Sequence, residues 1–62
     1  MTNYRIYVLN PQERIAEKFE DAFPSDRAAL ERAEDVRAGQ YAAEVWDGDR
    51  LVARLGEEFR IS

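Results

Sequence analysis

The sequence contains no cysteine and no histidine, and these two absences remove much of the common chemistry before any pattern is read. There is no disulfide to staple a short chain, no thiolate, no imidazole base, and neither of the side chains that dominate zinc sites. Aliphatic hydroxyls are scarce as well: Thr2, Ser25 and Ser62. Two of these sit at the chain ends, and Ser25 is better placed to cap a helix, so nucleophilic catalysis of the Ser–His or Cys–His kind has no candidates. The expected class is non-enzymatic, with no cofactor and no metal. Glycine is present only at positions 39, 48 and 56, too dispersed for a phosphate-cradling loop.

Long apolar runs are also missing. The stretch from Met1 to Asn10 is short and interrupted by Arg5, which excludes reading it as a signal peptide or a membrane span. The expected location is therefore the cytoplasm, with which the lack of cysteine is compatible. Positive charge is in deficit: Lys and Arg total 9 against 13 Asp and Glu, for a formal net charge of −4. The averaged field repels phosphate backbones and disfavours nucleic acid as a partner. A local basic patch of Arg5, Lys18, Arg50 and Arg54 on one sheet face would be the exception. The competing reading makes these residues cross-strand partners of nearby acids.

What is present is enough for one small globular domain over residues 1–62, given 45% hydrophobic residues. A chain of this length buries only about 60% of the surface it exposes when unfolded. Stability is expected to be marginal, and oligomerisation is the remaining way to increase it.

The stretch from Tyr41 to Leu55 reads as a β-hairpin hinged at Asp47-Gly48-Asp49, because Asp-Gly between apolar-rich segments is a strong hairpin signal. A turn centred on Gly48 and Asp49, or a four-residue loop from Asp47 to Arg50, sets Trp46 against Leu51 and Val45 against Val52. Moving the turn back one residue would oppose Trp46 to Asp49, an inferior pairing. The Asp-Gly-Asp triplet resembles a fragment of a calcium loop but lacks the remaining ligands at the required spacing, and a plain turn explains it.

Tyr4 to Leu9 alternates, with Tyr4, Ile6 and Val8 on one side and Tyr7 and Leu9 on the other, and predicts a strand. Asn10-Pro11-Gln12-Glu13 follows with type I turn chemistry. Residues 14–23 are ambiguous. Their Glu, Lys and Ala favour helix, and Ile15, Phe19 and Phe23 fall at helical spacing, yet Ile15, Glu17, Phe19, Asp21 and Phe23 also alternate. The preceding turn decides for a strand, since an unpaired first strand would leave its backbone groups to water. Ser25 then caps a helix running from Asp26 to Ala38 and stopped by Gly39. Its buried stripe is Ala29, Leu30, Ala33 and Val36. At about 25 cal/mol per Å², Leu30 and Val36 contribute roughly 1.5–3 kcal/mol each, too little to hold the fold without the hairpins. Residues 56–62 form a tail whose Phe59 and Ile61 repeat at period two, as in a strand extension past a glycine bulge or an extra edge strand.

Assembled, the expected fold is α+β: a ββαββ chain with a four-stranded antiparallel sheet and one helix packed on one face. One thin helix covers one face of such a sheet, so the opposite face is a candidate interaction surface, drawing on some of Tyr7, Leu9, Phe19 and Trp46, whose parity the sequence leaves open. The competing reading has these side chains curl over one another or over the tail as a minor core. Tryptophan buries a large area at small entropic cost and suits an interface centre.

The segment from Tyr4 to Leu9, the turn after it, the Ser25-Asp26 helix start and the run from Glu44 to Leu55 together resemble a family of short, uncharacterised alphaproteobacterial proteins. The likeness covers most of the chain but rests on strands and turns, and the family carries no assigned activity and no catalytic residues to transfer. Such proteins tend to have glycine near the end of the first turn where this chain has Glu13, and a left-handed conformation there is harder for glutamate. The function expected from these observations is a small protein-interaction or self-associating module, with a homodimer as one form. The alternative is a nucleic-acid-associated or regulatory protein using Arg5, Lys18 and Arg54.

Overall fold

The computed structural model describes residues 1–56; the expectations for Phe59 and Ile61 lie outside the described residues. The chain runs β1 (Thr2–Leu9), β2 (Ile15–Phe23), α1 (Asp26–Arg37), β3 (Ala42–Asp47) and β4 (Arg50–Leu55). The four strands form one antiparallel sheet in the order β2-β1-β3-β4. The fold is thus α+β with ββαββ order, two hairpins joined along β1 and β3.

The ambiguous segment is a strand. Its ladder with β1 sets Phe19 against Ile6 and Phe23 against Thr2, which places both phenylalanines on the helix side, packed against the core. The alternation does not survive to Ile15, because the register shifts next to Leu9 and Ile15 turns to the other face, 59% exposed. In the first turn the Glu13 amide donates to the Asn10 carbonyl at 2.7 Å, and the Asn10 side chain accepts from the amides of Gln12 and Arg14 at 3.0 Å. Pro11 presets the first central φ of this turn. Glu13 follows at φ +63, so the left-handed site is filled by glutamate despite its cost.

Ser25 caps α1 as expected, its Oγ accepting from the Ala28 amide at 3.2 Å. The other end is a correction. The helix stops at Arg37, and Ala38 rather than Gly39 takes the first left-handed position, at φ +47, with Gly39 following at +85. On the helix only Ala29 and Ala33 are fully buried; Leu30 and Val36 flank them, half-buried. Two methyl-sized contacts let the helix axis sit close over Tyr4, Ile6 and Val45, which form the core with them. Phe19, Phe23, Val52 and Leu55 close the margins.

The second hairpin turns on Gly48 and Asp49, with Asp47 opposite Arg50 and Trp46 opposite Leu51. Positive φ at Gly48 alone, at +60, is the pattern of a type II′ turn. One expected pair is corrected: Val45 faces Ala53, not Val52. The bulge at Val52 has a packing reason. Without it Arg54 would point under the helix and Leu55 away from it; with it Val52 and Leu55 both reach the core.

A polar latch ties the helix start to the sheet. The Tyr4 hydroxyl donates to Asp26 at 2.6 Å, and Arg50 bridges Asp26 at 3.3 Å and Asp47 at 3.0 Å. Among the described residues, no helix is long and apolar enough to cross a membrane.

Candidate functional site

The ladders fix which side chains share the face away from the helix. One row across the strands reads Glu20, Arg5, Trp46, Leu51; the next reads Lys18, Tyr7, Glu44, Arg54; a third holds Ile15, Leu9 and Ala42. Of the surface expected from sequence, Tyr7, Leu9 and Trp46 are therefore brought together. Phe19 is not: it belongs to the opposite parity and packs on the core beside Ile6. Leu9 shares the face but is only 5% exposed. The accessible aromatic part is Tyr7 and Trp46, both half-buried, with the more exposed Ile15 and Leu51 to either side.

A hydrogen-bonded network orders this face. The Trp46 indole N–H donates to Glu44 Oε1 at 3.0 Å, and Arg54 Nη1 donates to Glu44 Oε2 at 2.6 Å. Arg54 Nη2 also meets Glu13 Oε2 at 3.0 Å, and the Tyr41 hydroxyl donates to the same oxygen at 3.4 Å. The Glu13–Arg54 pair reaches from the first turn to β4, across β1 and β3 at the end where Leu9 and Ala42 lie. It gives a reason for glutamate in a left-handed position: the side chain clamps the turn to the sheet. Glu44 in turn holds the indole ring in one orientation. Sequence reading missed this network, because an unbulged register sends Arg54 to the other face.

Of the four basic residues considered from sequence, Arg5, Lys18 and Arg54 lie on this face, whereas Arg50 lies on the helix side in the latch. Arg5 pairs with Glu20 across β1 and β2 at 3.3 Å. The hydrogen bond to Glu20 raises its already high pKa. The arginines of the face are thus cross-strand partners of its acids. Between the aromatic side chains an open groove of about 310 Å³ is lined by Arg5, Tyr7, Ile15, Glu44, Trp46 and Gly48. It has aromatic walls and paired charges.

The other perturbed groups sit in the latch. Hydrogen bonds from Tyr4 and then Arg50 hold the Asp26 carboxyl below the usual carboxylate range, and the Asp26 carboxylate raises the Tyr4 hydroxyl. Tyr4 is buried and its hydroxyl is bound to Asp26, so this cluster fastens the start of the helix to the sheet. Asp47 is bound to Arg50. Among the described residues no cluster of three acidic side chains is arranged to hold a metal ion.

In comparisons with known proteins, the chain matches no family model, no curated protein and no solved structure.

Proposed function

We propose that this protein is a non-enzymatic module that docks another protein surface on the face of its sheet away from the helix, through Tyr7 and Trp46. The observation that carries the reading is the Trp46 indole tied by its N–H to Glu44, which Arg54 holds in turn. A large aromatic group fixed in advance at a half-exposed position loses little entropy on binding, which favours it as an interface anchor. Ion pairs on its two sides, Arg5–Glu20 and Arg54–Glu44, supply the polar surroundings typical of such sites.

A nucleic-acid role through Arg5, Lys18 and Arg54 has less support, since both arginines are engaged by carboxylates and the net charge is −4. The proposed module works in the cytoplasm and belongs with the short alphaproteobacterial proteins that its sequence resembles.

The test is comparative capture. The native protein and a Tyr7→Glu variant, each immobilised, are exposed to lysate of the source cell. A protein retained by the native surface and lost with Tyr7→Glu supports docking on this face; identical retention by both removes it.

A further inference from the structure

Resting on that docking reading, we infer that the occupant of the face away from the helix is a second copy of this chain, stacked face to face about a two-fold axis that runs along the strands between β1 and β3. Charge gives the first argument. The face carries three cations, Arg5, Lys18 and Arg54, and three carboxylates, Glu20, Glu44 and the inward-reaching Glu13. Among the described residues it is neutral, so their excess of acidic over basic side chains lies elsewhere. Two copies repel each other least through this face, and a strongly charged partner gains nothing from it.

Self-complementarity gives the second. A two-fold interface brings residue i of one copy to residue j of the other and j to i. With the axis between β1 and β3, the pairs that face each other across strands within one chain become the pairs that face each other between chains. These are Arg5 with Trp46 and Tyr7 with Glu44. The first places a guanidinium over an indole, and the second a phenol donor against a carboxylate, each formed twice. Lys18 then lies over Arg54, whose charge is already shared by Glu13 and Glu44. Glu20 lies over Leu51, at the margin where water remains.

Size sets the strength. Four strands spaced by about 4.8 Å make a face on the order of 20 Å across, so each copy buries on the order of 500 Å², below the roughly 800 Å² per partner of a standard interface. The expected dimer is transient and concentration dependent.

Sedimentation velocity and amide chemical shifts of the native protein, followed from about 10 µM to about 1 mM, are the primary test. The expected result is a rising sedimentation coefficient, with shifts centred on the Trp46 indole N–H, Tyr7 and Arg5. Arg5→Glu is expected to weaken association at least about tenfold, with circular dichroism checking its fold. Because the chain has no cysteine, a mixture of Glu20→Cys and Leu51→Cys proteins treated with a bismaleimide spanning about 10 Å, the usual separation of stacked sheets, should cross-link faster than either alone. Shifts confined to β2 or β4 would mean strand addition and overturn the stacked arrangement. A monomer at every concentration overturns self-association altogether, while lysate capture lost with Tyr7→Glu would still uphold the docking face. If Arg5→Glu fails to fold, the native dilution series decides.

Discussion

The Arg54 guanidinium meets the Glu44 carboxylate at 2.6 Å, and it does so because Val52 is extra to the β3–β4 ladder. One inserted residue moves Arg54 from under the helix to the open face and sends Leu55 the other way. The same event therefore completes the core and builds the clamp that orients Trp46. Both arginine and glutamate are mostly shielded from water, so their hydrogen bonds are worth more than those of an exposed surface pair. In a double-mutant cycle of Glu44→Ala and Arg54→Ala followed by urea unfolding, the expected coupling is about 1–2 kcal/mol. A coupling indistinguishable from zero would show that the contact is incidental.

Acid should loosen the start of the helix. The Asp26 carboxyl is lowered in the folded chain, first by the Tyr4 hydroxyl and then by Arg50. A folded value below the unfolded one contributes stability that is present above about pH 4 and lost as the pH falls through the folded value. Tyr4 behaves in the mirror sense: its raised value gives stability present below about pH 10 and lost as the pH rises through it. Urea midpoints measured from about pH 7 down to about pH 3 should fall for the native chain. Asp26→Asn should be less stable at neutral pH and should show a smaller acid loss. An unchanged pH profile in that variant would assign the acid sensitivity to other carboxylates.

Much of this architecture was legible in the residues, and the exceptions have physical causes. Asp47-Gly48-Asp49 announced the second turn, since only a residue tolerant of positive φ fits at Gly48. Asn10 and Pro11 decided the ambiguous segment in favour of a strand by demanding a reversal before it. Alternation along β2 correctly gave Phe19 and Phe23 a common side, but no local signal tells which side a helix elsewhere in the chain will cover. That is why sequence alone leaves the face of Phe19 open, while the structure packs it on the core. The bulges beside Leu9 and at Val52 were invisible because each depends on packing across strands. The network through Glu13, Arg54 and Glu44 was hidden with them.

Among the described residues, the two left-handed positions outside glycine should respond differently to the same substitution. Ala38, at φ +47, makes no side-chain contribution that glycine would forfeit. Ala38→Gly is expected to gain roughly 0.5–1 kcal/mol, the relief of left-handed strain less the added freedom of the unfolded chain. Glu13, at φ +63, spends its side chain on Arg54 and Tyr41. In Glu13→Gly the relief and the lost clamp should offset to within about 0.5 kcal/mol. Thermal and urea unfolding of the two variants check the contrast, and equal gains at both sites would mean that the Glu13 side chain does nothing for the turn.

Gly56 and Gly48 offer a test of close packing against turn geometry alone. Both have positive φ, +105 and +60, so alanine is strained at either. At Gly48 an added Cβ meets nothing within 4 Å, whereas at Gly56 it would lie 2.6 Å from the Tyr41 carbonyl oxygen and 3.2 Å from the Ala42 Cα. Backbone atoms of β3 and the residue before it cannot swing aside as a flexible side chain would, so the clash moves the end of β4 away from the start of β3. Gly48→Ala is expected to cost about 1 kcal/mol, and Gly56→Ala about 2–4 kcal/mol. Urea unfolding of both variants gives the order. If Gly56→Ala proves as mild as Gly48→Ala, the end of β4 is not packed against Tyr41 as tightly as these distances require.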